Sequence, residues 1–260
     1  MEVLILAAGY GTRAKNFSEN KPKQLLEIKE NIPTIELILQ NLLKEKSIKK
    51  INIITNNKFY NQFESWLNKS KLKNQVFLIN NKTNSNEERL GSVGDILYAS
   101  SIINIKNNLL VVQGDDLLHN LNLKKILKLN KKHNSSVIVT HRMEAEKIAK
   151  RFGVVTIDKN KLAIKLQEKP NLEEIETKNG TALANGGTYM LTKKEIENIL
   201  KYQKETMGTK KSPLDKTGEW FSWIIKNGGK ILTHEHPKEY WWDIGKEEEL
   251  NQAREFYQKL

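Results

Sequence analysis

Residues Val3 to Lys23 read VLILAAGYGTRAKNFSENKPK, and this stretch decides the fold. Val3 to Ala8 is an unbroken apolar run, short enough for a strand and too short for a typical helix. Such a run suits a strand covered on both faces, as in a parallel sheet. Gly9 and Gly11 follow at once. Glycines directly after a buried strand let backbone N–H groups approach a ligand with no Cβ in the way. A row of such N–H groups makes an anion nest, and Arg13 adds a planar, permanently charged fork. Lys23 stands behind Pro22. Strand, glycine turn and two cations together read as a polyphosphate cradle.

Other phosphate loops fit less well. No Gly-Lys-Ser or Gly-Lys-Thr occurs anywhere in the chain, which removes a Walker A loop. Gly9, Gly11 and Ala14 match the dinucleotide fingerprint literally, but that pattern should run straight into a helix. Asn16 to Pro22 is instead polar and ends in proline. The stretch resembles the signature of the sugar-1-phosphate nucleotidyltransferases, in which alanine and glycine lead to Gly-x-Gly-Thr-Arg and a later Pro-Lys. Here it stands as Ala7-Ala8-Gly9-Tyr10-Gly11-Thr12-Arg13 and Pro22-Lys23-Gln24. The family's usual Arg-Leu-x-Pro is replaced by Arg13-Ala14-Lys15-Asn16. The resemblance implies that Ala8, Gly9, Gly11, Thr12, Arg13 and Gln24 bind the nucleotide, with Arg13 and Lys23 catalytic.

The chain beyond this stretch repeats an α/β rhythm. Thr34 to Lys46 and Phe59 to Asn68 carry apolar residues at helical spacing, while Ile51 to Thr55 and Val76 to Ile79 read as strands. That order implies a doubly wound, mostly parallel sheet of Rossmann-like type. Asn108 to Asp116 reads NLLVVQGDD, a buried strand ending in Gly-Asp-Asp. Carboxylates at the carboxyl end of a parallel strand face the crevice where such folds bind ligands, and hard oxygen ligands suit Mg2+. The family's metal-holding aspartate falls on Asp115 and its second, in Trp242-Asp243-Ile244-Gly245, on Asp243. The family also places Leu90-Gly91 against the nucleotide base. Gly153, Glu168, Lys169 and Asn185 match segments around the sugar phosphate, in an antiparallel excursion that the strand pairs at 152–158 and 162–169 imply. His133 and His141 read as surface residues. His234 and His236 share a strand face but lack a third metal ligand.

The resemblance spans nearly the whole chain and implies a single nucleotidyltransferase domain. Residues 1–145 form its nucleotide-binding half, and residues 146–260 its sugar-phosphate and second-metal-ligand half. The expected partners are a nucleoside triphosphate and a sugar 1-phosphate, with Mg2+ as cofactor. The net charge is +12, from 43 Lys and Arg against 31 Asp and Glu. The lysines are scattered along helix faces without aromatic interleaving, so nucleic acid is not expected. There is no cysteine, hence no thiolate chemistry, and no apolar run long enough to span a membrane, so a cytoplasmic protein is expected. The nucleobase, the sugar and the oligomeric state stay open. Rival readings are transfer to a non-sugar phosphate such as phosphocholine, a non-catalytic nucleotide-binding regulatory subunit, and an NAD-binding oxidoreductase built on Gly9 and Gly11.

Overall fold

The computed structural model describes residues 1–11, 20–207 and 214–260. Along the chain lie β1 (Glu2–Leu6), β2 (Glu27–Lys29), β3 (Ile32–Pro33), α1 (Thr34–Leu43), β4 (Ile51–Thr55), α2 (Asn57–Lys69) and β5 (Val76–Asn80). Then come α3 (Gly91–Ile102), β6 (Leu109–Gln113), β7 (Asp116–Leu118), α4 (Leu123–His133), β8 (Ser136–Glu144), α5 (Ala145–Ile148), β9 (Val154–Ile157) and β10 (Ala163–Gln167). The rest are β11 (Thr181–Leu191), α6 (Lys193–Glu197), α7 (Ile199–Thr206), α8 (Thr217–Lys226), β12 (Ile231–Glu235), β13 (Trp241–Asp243) and α9 (Glu247–Gln258). The mixed α/β class expected from the sequence is present. The chain gathers into two compact units, neither continuous in sequence: Met1–Leu90, Val111–Leu121 and Glu239–Leu260 form the first, and Gly91–Leu110 and Asn122–Lys238 the second.

The first unit carries strands in the order β6-β1-β4-β5. β1 and β4 run parallel with Ile5 opposite Ile53, as do β4 and β5 with Ile53 opposite Leu78. Val3, Leu4 and Ile5 are wholly buried and every residue of β4 is buried, the pattern of strands covered on both faces. Asn56 joins this sheet to its helix: its Oδ1 accepts from the Phe59 N–H at 3.0 Å, capping α2, while its Nδ2 donates to the Ala8 carbonyl at 2.9 Å. The cap thereby fixes the backbone where β1 gives way to the glycine turn. β7 and β13 make a separate two-stranded antiparallel ribbon with Asp116 opposite Asp243. Rings of α9 hold its outer side: Phe256 and Tyr257 stand 4.9 and 5.9 Å, centroid to centroid, from Trp242.

In the second unit, β8 pairs antiparallel with β11 and parallel with β12, and β9 lies antiparallel to both β10 and β11. The β8–β11 register shifts between Asn185 and Tyr189: Asn185 faces Thr140 but Tyr189 faces Ile138. Three residues of β11 therefore oppose one of β8, a bulge that re-aims the strand beside Asn185. The bulge also corrects one sequence expectation. His141 is not a surface residue but wholly buried. A Cβ on Gly186, within the bulge, would stand 2.3 Å from His141 Nε2, so glycine there lets the imidazole pack under the strand. Its Nδ1 lies 3.0 Å from the His236 carbonyl. His133 is exposed, as expected. Among the described residues no helix is long and apolar enough to cross a membrane.

Candidate active site

Lys23 opens a single 3-10 turn, Lys23–Leu25, behind the extended Pro22. Its ammonium forms an ion pair with Asp115 Oδ2, the two side chains being 12% and 19% exposed. Asp115 follows the carboxyl end of β6, and its carbonyl accepts from the Ile244 N–H at 2.9 Å, which ties it to the segment after β13. Asp243 ends that strand. One of its oxygens, Oδ1, accepts from the Gly245 N–H at 3.0 Å, and its own N–H donates to the buried Glu249 carboxylate at 3.1 Å. A Cβ built on Gly245 would lie 2.8 Å from Asp243 Oδ1 and 3.4 Å from Lys23 Nζ. Those two groups therefore flank one point, and Gly245 keeps it clear. Lys23, Asp115 and Asp243 meet in one unit although 128 residues separate the aspartates, by the numbering of the chain.

Asp116 is the third carboxylate of this cluster. It accepts from Trp241 Nε1 at 3.1 Å. Burial above all, then the charges of Asp115 and Asp243, holds its carboxyl well above the usual carboxylate range. Among the described residues no three His, Cys, Asp or Glu side chains have metal-holding geometry. A hard divalent cation would thus lean on two carboxylates and take phosphate and water oxygens for the rest of its shell, which is how Mg2+ is ordinarily held. The donors are all oxygen, and on that ground the set fits Mg2+.

Gln24 sits next to Lys23 and is 2% exposed. Its Oε1 is buried with no hydrogen-bond partner among the described residues, a costly state unless a ligand donates to it. Ala8, Gly9 and Gly11 occupy the end of β1 and the turn after it, Gly11 with φ +64°. Thr12 and Arg13 lie outside the described residues.

The sugar-phosphate candidates gather in the second unit. The Asn185 N–H donates to the Gly153 carbonyl at 2.8 Å. A Cβ on Gly153 would come within 3.4 Å of Asn185 Cβ and 3.6 Å of Glu168 Oε2. Asn185 Oδ1 is buried and, like that of Gln24, has no partner among the described residues. Burial raises the Glu168 carboxyl, against the opposing pull of Lys169 and Lys216. Lys169 is exposed and left-handed, with φ +48°.

Gly91, expected at the nucleotide base, opens α3 with φ +79°. A Cβ there would stand 2.3 Å from the Asp215 Cα, and the Val93 and Gly94 N–H groups donate to the Leu214 carbonyl at 3.0 and 3.2 Å. Backbone from elsewhere in the same unit therefore caps this helix start.

Sequence reasoning passed over Glu249 and Gly218. Glu249 is the third of three consecutive glutamates, and nothing local marks it. Gly218 did carry a signal: a glycine in the first turn of a helix costs stability relative to alanine, so it wants a packing reason. The reason is Glu168, whose Oε2 would lie 2.1 Å from a Cβ at Gly218.

A model of the nucleotidyl transferase family matches residues 2–259, so the chain belongs to that family. The D-glycero-alpha-D-manno-heptose 1-phosphate guanylyltransferase of Campylobacter jejuni is 30% identical over 74% of this chain and 76% of its own length. The bifunctional protein GlmU of Methanococcus vannielii is 28% identical over 77% of this chain, which spans 44% of that longer relative. A crystal structure of UDP-glucose pyrophosphorylase complexed with UDP-glucose superposes with a TM-score of 0.77 at 21% identity, covering 99% of this chain and 98% of the other, and shows the shared fold. HddC from Yersinia pseudotuberculosis complexed with GMP-PN gives 0.71 at 26% identity over 98% and 99%.

Proposed function

We propose that this protein transfers a nucleotidyl group from a nucleoside triphosphate to a sugar 1-phosphate, releasing pyrophosphate. The observation that carries the proposal is that Lys23, paired with Asp115, and Asp243 flank one cleared point in the first unit. A phosphate oxygen of the sugar phosphate attacks the α-phosphorus in line, and the bond from that phosphorus to the pyrophosphate oxygen breaks. No side chain is asked to form a covalent intermediate. Catalysis is positioning and neutralisation of charge.

In this reading Arg13 holds the departing pyrophosphate and Lys23 the α-phosphate as its charge spreads. Asp115 and Asp243 hold Mg2+, which when bound neutralises and orients the phosphates. Gln24 uses its unpaired oxygen to accept from the nucleotide. Lys169 holds the attacking phosphate, and Glu168 and Asn185 accept from sugar hydroxyls beside the Gly153 backbone. The buried, unpartnered Asn185 oxygen supports a hydroxyl-bearing substrate over phosphocholine, which brings no hydroxyl donor to that position.

Guanine is the first base to try, because two relatives of similar length are described by a guanylyl transfer and by a bound guanine nucleotide analogue. A panel of five nucleoside triphosphates against hexose and heptose 1-phosphates, read by pyrophosphate release, tests the proposal. Turnover with GTP and one sugar 1-phosphate is expected. Release of pyrophosphate with phosphocholine alone, or with no acceptor in the panel, contradicts it.

A further inference from the structure

Lys23 occupies ground that a metal ion would need. Its ammonium is paired with Asp115 Oδ2 and stands 3.4 Å from the point above Gly245 that also lies 2.8 Å from Asp243 Oδ1. Only 12% of the Lys23 side chain is exposed, so the charge is held among carboxylates rather than in water. Such a pair is favourable only while the partners stay together; removing one leaves a poorly solvated charge behind. A divalent cation taking an oxygen of Asp115 would meet the ammonium at close range, where like charges repel strongly in a site so little exposed to water.

We propose that Lys23 is the resident counter-ion of this site and competes with the metal for Asp115, so that metal and nucleotide bind cooperatively. The inference rests on the metal assignment made under the proposed function. Lys23 has an unbranched, rotatable stem, and a triphosphate offers its ammonium another anion. Once the ammonium turns to phosphate, Asp115 is released to the metal. Because coupling between two ligands is reciprocal, the metal must favour nucleotide binding by the same factor. Without nucleotide, the site stays neutralised and excludes free divalent cations.

The test uses Mn2+ alone as the probe, on the full chain without nucleotide, with binding followed by electron paramagnetic resonance and by calorimetry. Lys23→Met and Lys23→Gln should each bind Mn2+ at least about tenfold more tightly than the wild-type protein, and adding Asp115→Asn should abolish the gain. In a thermal melt, Mn2+ should raise the melting temperature of either Lys23 variant by more than that of the wild type, a readout independent of turnover. Two variants of different shape keep the test alive should one fail to fold. Asp115-dependent Mn2+ binding that is equally tight in wild type and variants overturns the competition and leaves the proposed function standing. No Asp115-dependent Mn2+ binding in either Lys23 variant likewise overturns the competition, while pyrophosphate release in the substrate panel decides the proposed function separately.

Discussion

Gly218 and Glu168 share a space that admits no methyl group: a Cβ on Gly218 would stand 2.1 Å from Glu168 Oε2. The glycine thus sets where the carboxylate lies, against the start of α8 and beside Gly153. Gly218→Ala must displace Glu168. The expected result is at least a tenfold rise in KM for the sugar 1-phosphate with KM for the nucleotide little changed, on the order expected for a misplaced binding group. Equal rises for both substrates would point to general loss of folding.

Glu249 accepts the Asp243 N–H at 3.1 Å. Glu249→Ala would remove that acceptor from a buried N–H, a cost of about 1–3 kcal/mol. Glu249→Gln keeps an acceptor oxygen in the same place. Activity at limiting Mg2+ should fall about tenfold or more in the alanine variant and recover with saturating Mg2+, while the glutamine variant stays near wild type. A titration of initial rate against Mg2+ separates these outcomes.

Gly91 combines a left-handed backbone, φ +79°, with backbone atoms of Leu214 and Asp215 closer than any side chain permits. Gly91→Ala should destabilise the protein by about 2 kcal/mol or more, since left-handed strain alone costs 1–3 kcal/mol in a residue with a Cβ. Chemical denaturation measures this directly. A change below about 0.5 kcal/mol would mean that the start of α3 does not need its Leu214 and Asp215 cap.

Two buried histidines give the second unit an acid limit. Burial, then Lys125, His236 and Lys161, lowers His234 to about 4. Burial and the neighbouring His236 hold His141 well below its ordinary value. Both groups are depressed in the folded state relative to 6.5 unfolded, so their neutral forms favour folding in full above pH 6.5. As pH falls from 6.5 toward about 4 the unfolded chain takes up a proton at His234 that the folded chain refuses, and stability drops by at most about 1.4 kcal/mol per pH unit from this group, with His141 adding a loss of the same sign. His234→Gln should flatten the dependence of unfolding free energy on pH between 6.5 and 5. An unchanged slope would show that His234 already titrates normally when folded.

Much of this architecture is written locally. Val3 to Ala8 and Leu109 to Val112 are apolar runs that can be little else than covered strands, Ile51 to Thr55 carries three isoleucines in five residues, and Lys23, Asp115 and Asp243 stand in motifs with their neighbours. What escaped reading depends on residues far apart. β7 and β13 are three residues each, too short to show a period, and exist because they pair with one another. α3 begins at Gly91, its first turn capped by carbonyls more than a hundred positions away, which no local pattern marks. His141 sits among polar neighbours in sequence, and only the bulge of β11 opposite makes room to bury it. Gly218 and Glu249 escaped for the same reason: each acts on a residue that its own surroundings do not reveal.

The account turns on whether Asp115 and Asp243 serve one reaction. The most direct measurement is Mg2+-dependent pyrophosphate release from a nucleoside triphosphate and a sugar 1-phosphate by the wild-type protein, Asp115→Asn and Asp243→Asn, each shown folded by its melting curve. The account predicts turnover in the wild type and a fall of about a hundredfold or more in each variant, the scale on which a lost electrostatic stabiliser is felt. Folded variants that turn over at the wild-type rate would contradict it.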